Sequence, residues 1–172
     1  MDNVIIIGVG GAGCNIADSC RKECPKLQNA KYIYVDKEAM TIVNQGSEDE
    51  RILLTENKDI NFCELLRGYK TAFVCAGLGG KIGSELSPKI LEYAKAESLS
   101  TIIAVVSTPF SFEGVARNEK AQMALTRVNS IAHKVIVQDN NDIPQESMLP
   151  EMDRSICNMV NELLSKWRIS LP

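Results

Sequence analysis

The chain reads as an α/β fold: a doubly wound, mostly parallel sheet with helices on both faces. Three observations predict this. Short, near-continuous apolar runs alternate with stretches of helical periodicity, as strands covered on both faces require. The first run, Val4-Ile5-Ile6-Ile7, leads into Gly8-Val9-Gly10-Gly11-Ala12-Gly13-Cys14-Asn15. A later run, Ala72-Phe73-Val74-Cys75, leads into Gly77-Leu78-Gly79-Gly80-Lys81-Ile82-Gly83-Ser84. Glycine at a strand-to-helix turn lets backbone amides approach an anion, and the helix behind it aims unpaired N–H groups and a positive dipole end at the same place. One such loop is a weak signal; two in one small domain point to a ligand with several phosphates held from two sides.

Strands are expected at Val4–Ile7, Tyr32–Val35, Arg51–Leu54, Thr71–Cys75, Thr101–Ser107 and Lys134–Val137. Helices are expected between them: Asn15–Lys22 after the first glycine loop, a short Glu38–Val43, then Asp59–Leu66. Ser84–Glu97 repeats Leu86, Ile90 and Ala94 every four residues, with Pro88 in its first turn. Arg117–Ile131 places Ala121, Ala124, Leu125, Val128 and Ile131 on one face. The last helix, from about Pro150 to Lys166, is the most regular, with Met152, Ile156, Met159, Val160, Leu163, Leu164 and Trp167 in register. Ligands of doubly wound sheets bind at the carboxyl ends of the strands, where both glycine loops lie.

At 172 residues the chain is expected to form a single domain, 1–172, burying about 70% of its unfolded surface. Its 45% hydrophobic and 24% charged residues are ordinary for a globular protein. A net charge of −3 leaves no basic footprint for nucleic acid. No run approaches the roughly 18 apolar residues of a membrane span, and no basic leader precedes the first strand, so a cytoplasmic protein without membrane insertion is expected. The six cysteines (Cys14, Cys20, Cys24, Cys63, Cys75 and Cys157) contain no Cys-x-x-Cys pair. The single histidine, His133, has no neighbouring cysteine, so free thiols in a reducing compartment are expected and no metal ligands are assigned.

Taken alone, Gly8-x-Gly10-x-x-Gly13 fits the dinucleotide fingerprint, with Asp36 about 20 residues on as a ribose acid. A nicotinamide or flavin enzyme is therefore one reading, although it leaves the second glycine loop unexplained and supplies only His133 as a substrate-side base. A third segment decides between the readings: Thr108-Pro109-Phe110-Ser111-Phe112-Glu113-Gly114-Val115-Ala116-Arg117 follows the strand ending at Ser107.

With that segment, the chain strongly resembles the FtsZ branch of the tubulin superfamily along nearly its whole length. The resemblance implies a guanine-nucleotide site, for GTP or GDP with a possible Mg2+. In it Gly10, Gly11, Ala12 and Gly13 face phosphates and sugar, with Asn15 behind. Gly79, Gly80 and Gly83 offer amides from the second loop, which also carries Lys81 and Ser84. Glu113 matches the ribose ligand, Arg117 the arginine beside it, and Asp153 the helix acid that accepts from guanine N1–H and N2–H.

Departures from the family pattern qualify this. Lys81-Ile82-Gly83-Ser84-Glu85 stands where the family has Gly-Thr-Gly-Thr-Gly, so Ile82 brings no hydroxyl and Glu85 brings a negative charge toward the phosphates. Lys81 can offset this as a point charge. The loop around the terminal phosphate is shortened between Arg51 and Gly68, and Gln138-Asp139-Asn140 replaces Pro-Asn-Asp near the base. The family's C-terminal activation domain, source of the acid that drives hydrolysis in head-to-tail filaments, is expected to be absent. The resulting expectation is weak nucleotide binding and slow or no GTP hydrolysis, with no catalytic residue assigned. Possible partners are a second copy or an FtsZ-like protein. The alternative is a nucleotide-free interaction or regulatory module.

Overall fold

The computed structural model of the protein describes residues 3–43, 45–56, 59–144 and 149–166. Among these residues lie six strands: β1 (Val4–Val9), β2 (Lys31–Asp36), β3 (Arg51–Leu53), β4 (Thr71–Gly77), β5 (Thr101–Thr108) and β6 (Lys134–Asp139). They alternate with α1 (Gly10–Glu23), α2 (Ala39–Ile42), α3 (Phe62–Leu66), α4 (Lys81–Ala96), α5 (Val115–Ile131) and α6 (Leu149–Lys166). The strands form one sheet in the order β3-β2-β1-β4-β5-β6, and every pairing is parallel. This is the doubly wound sheet that the apolar runs predict.

Alternation along each strand divides the core. Ile5, Ile7, Val9, Ala72, Val74 and Ala76 pack against α3, α4 and α5. Val4, Ile6, Phe73, Cys75, Ile103 and Val105 pack against α1 and α6. Burying each large aliphatic side chain contributes about 1.5–3 kcal/mol, so two filled faces fix both strand register and helix placement. The chain order winds outward from β1 through β2 to β3, then returns to β4 on the other side of β1. The reversal opens a crevice above the carboxyl ends of β1 and β4, which carry the two glycine loops.

The elements match the sequence reading in number and type, and differ at their ends. α1 begins at Gly10, five residues before the expected Asn15, because the glycine stretch forms the first helical turn itself. Poor intrinsic helix propensity hid this. α4 likewise begins at Lys81, which moves Pro88 from the first turn into the helix interior. There Ser87 Oγ donates to Gly83 O at 2.5 Å. The helix expected from Asp59 is shorter, Phe62–Leu66, and is capped by Asn61, whose side chain accepts the Glu64 N–H at 3.1 Å. Of the apolar stripe on α6, Ile156, Val160 and Leu164 are buried, and Trp167 lies outside the described residues.

Candidate functional site

A cavity of about 690 Å3 opens at the carboxyl end of the sheet. Gly10, Gly11 and Ala12 line it from the first turn of α1, and Gly77, Leu78, Gly80, Lys81, Ile82 and Gly83 from the β4–α4 turn. Thr108, Pro109, Phe110, Phe112, Glu113 and Arg117 form a third wall. A smaller lobe of about 210 Å3 shares Ala12, Ser107, Asn140 and Met152 with it and adds Asn15, Ile16, Gln138 and Asp153. The sequence thus marks three walls of one space from three distant segments.

The glycines divide by role. Gly10 has φ +72°, a conformation that favours glycine, and it faces the cavity beside Ile82. Gly79 has φ +99° and packs against Arg117 and Pro109, and it does not line the cavity. Its N–H donates to Ser84 Oγ at 2.8 Å, so this buried hydroxyl holds the loop's shape from within. Gly13 is also absent from the lining; it faces β4, where a β-carbon would collide with the backbone of Cys75.

The first bond inside α4 is from Ser84 N–H to Gly80 O, at 3.1 Å. The N–H groups of Lys81, Ile82 and Gly83 therefore have no partner within the helix, and all three residues line the cavity. α1 opens on the same space. Two positive helix ends and the Lys81 side chain converge at one end of the cavity, a favourable setting for an anion. Asp36 and Glu38 line it too and bring acidic oxygens nearby. Glu85, expected to add negative charge at the phosphates, is instead 3.8 Å from Lys120 on α5 and outside the lining. The helix turn carries its side chain to the outer surface.

The third wall is held rigidly. Glu113 Oε2 accepts the Phe110 N–H at 2.6 Å, and Oε1 lies 3.1 Å from Arg117 Nε. Ser111 donates from both N–H and Oγ to Asn141 Oδ1, at 2.8 and 2.9 Å. Phe110 and Phe112 stack with ring centroids 4.8 Å apart, and Phe112 is 72% exposed. Positive φ at Gly114 turns the chain from this segment into α5.

The small lobe is rich in acceptors. Asn15 Oδ1 accepts from Gln45 Nε2 at 3.1 Å, which leaves its amide nitrogen as a donor. Burial raises the Asp153 carboxyl to about 6, with the nearby Cys157 adding to the shift and a hydrogen bond from Ser19 opposing it. Gln138 Oε1 and Asn140 Oδ1 are buried without a hydrogen-bond partner among the described residues. A buried orphan acceptor is costly, so two of them facing one lobe fit a ligand edge that carries donors. Asp139, in contrast, accepts from Asn141 and shapes the following turn outside the lining. Gln138 was not singled out from sequence; its signal is a polar residue ending the otherwise apolar run Val135-Ile136-Val137. Met152, Phe110 and Phe112 likewise emerge as lining residues only from the fold.

The comparisons with known proteins agree with this layout. The model of the Tubulin/FtsZ family, GTPase domain, matches residues 57–147. The cell division protein FtsZ of Haloferax mediterranei is 29% identical over 159 residues, covering 81% of this chain and 41% of that protein. FtsZ 2 of Rhizobium meliloti is 32% identical over 160 residues, covering 81% and 45%. The chain thus spans less than half the length of these curated relatives. CetZ2 from Haloferax volcanii, solved as a GTPγS-bound protofilament, superposes with a TM-score of 0.75 at 18% identity, covering 96% of this chain and 57% of that one. A parallel sheet with two glycine loops at its switch point, a Phe-Ser-Phe-Glu-Gly wall and a family match across more than half of its length place this chain in the Tubulin/FtsZ family, as its GTPase domain.

Proposed function

We propose that this domain binds a guanine nucleotide, GTP or GDP, across the two lobes of the cavity. The observation that carries the reading is the convergence of the α1 and α4 N-termini with Lys81 at one end, and of Asp153, Gln138 Oε1 and Asn140 Oδ1 at the other. The phosphates take the amides of Gly10, Gly11, Ala12, Lys81, Ile82 and Gly83. The ribose lies along Glu113, with Arg117 beside it. Guanine enters the small lobe, where its N1–H and N2–H donors meet acceptors and its O6 meets the Asn15 amide nitrogen. Adenine presents a different donor–acceptor edge and is disfavoured. A magnesium ion would be held by Asp36 and Glu38, which line the cavity, and would neutralise phosphate charge there.

Hydrolysis is weak. Phosphoryl transfer needs a positioned water and donors around the terminal phosphate, and Ile82 presents methyl groups where the family presents a hydroxyl. The unit 1–172 acts as one nucleotide-binding domain, and association with a second copy or an FtsZ-like chain follows from the filament-forming relatives. One observation favours the alternative of a nucleotide-free interaction module: Ile82 stands beside Gly10 where phosphate would approach, with Asp36 and Glu38 in the same lining.

Identification of nucleotide released from gently purified protein, followed by thermal shift, tests the reading. A ligand at 100 times its Kd adds about 2.7 kcal/mol, or about 5–10 °C at this size. GDP and GTP are expected to give this shift. An equal or larger shift with ATP or NADH would reject guanine specificity, and no shift with any nucleotide would favour the interaction module.

A further inference from the structure

Away from the cavity, three buried cysteines converge where α1 meets α6. Cys20 lies on α1, Cys24 is its C-cap one turn later, and Cys157 faces them from α6. Their relative exposures are 2%, 0% and 1%. Cys20 Sγ and Cys157 Sγ are 3.8 Å apart, Cys24 Sγ is 3.8 Å from Cys157 O, and all three sulfurs lie within 4.8 Å of one another.

That spacing is short enough for one ion. A metal–sulfur bond of about 2.3 Å implies sulfur–sulfur separations of about 3.8–4.0 Å in tetrahedral or trigonal geometry, so modest side-chain rotation closes the ring. No fourth carboxylate, imidazole or thiol shares the spacing among the described residues, and Cys75 of the same apolar layer lies outside it. The three side chains are buried in an apolar layer, so water is a poor fourth ligand. Zinc favours four ligands, whereas soft thiolates also suit Cu(I), which is satisfied by three. We propose that Cys20, Cys24 and Cys157 form a three-thiolate site for a single soft, three-coordinate ion, Cu(I).

Binding replaces thiol protons with the ion: three S–H bonds break, three Cu–S bonds form, protons leave to solvent, and copper stays in the +1 state. Entry requires opening of the seam between α1 and α6, where Ile16, Ala17, Ile156 and Val160 pack and Lys26 Nζ to Leu164 O and Asn161 Nδ2 to Glu23 O bond across its edge. Cys157 is one helical turn beyond Asp153, so the ion would pin α6 to α1 directly below the small lobe.

The test is an anaerobic titration of the reduced, full chain with Cu(I) against a chromophoric Cu(I) chelator, in a Cys63→Ser background that removes the one partly exposed thiol. One equivalent is expected to be captured, with X-ray absorption reporting three sulfur neighbours. Cys157→Ala and Cys24→Ser should each weaken capture at least tenfold. Alkylation mapped by mass spectrometry on the unmutated chain gives a second readout that needs no core variant: copper should protect Cys20, Cys24 and Cys157 together. Undiminished capture in the variants, protection of other cysteines, two-sulfur coordination, tighter binding of Zn(II) with a four-coordinate Co(II) spectrum, or no capture would each overturn the site.

Discussion

The Cα of Gly13 lies against the main chain of Cys75, so close that a β-carbon there would sit 2.2 Å from the Cys75 carbonyl oxygen. The first turn of α1 is thereby pressed onto β4, which brings both glycine loops to one crevice. Backbone cannot give way as the end of a flexible side chain can. Gly13→Ala should therefore cost about 3 kcal/mol or more, lowering Tm by about 6–12 °C. Gly68→Ala is the control. Its φ is +90° but nothing lies within 4 Å of the added carbon, so the expected cost is only the conformational strain of about 1–2 kcal/mol. Equal melting temperatures for the two variants would show that this contact does not set the helix position.

Ile82 gives a prediction of opposite sign. Its Cβ is 3.6 Å from where a side chain on Gly10 would begin, so its methyls stand at the mouth between the two helix ends. Ile82→Thr replaces the ethyl branch with a hydroxyl, which makes the side chain smaller and offers a donor to a phosphate oxygen. GDP and GTP affinity should rise about 10–100-fold, the worth of one hydrogen bond to a charged group. Calorimetric titration of both proteins checks this; unchanged or weaker binding would mean that Ile82 does not limit phosphate approach.

Much of this site was legible because backbone geometry dictates it. A strand running into clustered glycines has few alternatives to a tight turn onto a helix, and parallel strands bring such turns to one edge of the sheet. Glu113 and Arg117 were legible through the resemblance of their segment to the FtsZ pattern, and both line the cavity. Two kinds of error had physical causes. Gly10–Gly13 read as loop because glycine disfavours helix, yet packing against β4 overrides that preference. Glu85 read as facing the phosphates because sequence proximity does not reveal which side of a helix turn a side chain takes. Gln138 went unmarked for a related reason: its orphaned oxygen exists only once β6 and α6 close the small lobe.

Glu113 should govern the sugar. Its carboxylate is already fixed by the Phe110 N–H and Arg117, so it is oriented before any ligand arrives. Glu113→Ala removes both the capping bond and the ribose acceptor. Affinity for GTP should fall about 10–100-fold, while 2′-deoxy-GTP, lacking one of the two hydroxyls, should lose less. An equal loss for the two nucleotides would place the ribose elsewhere.

GTP turnover by this chain should stay slow even at high protein concentration. Phosphate release from the purified chain is the measurement. Steady release that climbs steeply with protein concentration, and that Glu119→Ala or Glu85→Ala abolishes, would show that an acid from a neighbouring copy orients the water, and the slow-hydrolysis reading would fail. Release that is small and proportional to protein concentration is expected.

The Asp153 carboxyl should make the empty and liganded proteins respond to pH with opposite signs. Burial, chiefly, raises its pKa from an ordinary 3.8 to about 6 in the folded chain. A raised folded pKa means that its contribution to stability is fully present below about pH 4 and is lost as pH rises through 6. Nucleotide binding runs the other way. Below pH 6 the protonated carboxyl loses acceptor capacity for guanine N1–H and N2–H, so GDP affinity should fall by up to about tenfold per pH unit. Binding near pH 6 should also release a proton, visible as a dependence of the calorimetric heat on buffer ionisation enthalpy. Asp153→Asn, uncharged at every pH, should flatten both profiles and keep one acceptor oxygen for the base. A GDP affinity that is constant from about pH 5 to 8 in the unmutated chain, or a pH profile that Asp153→Asn leaves unchanged, would remove Asp153 from the guanine contact.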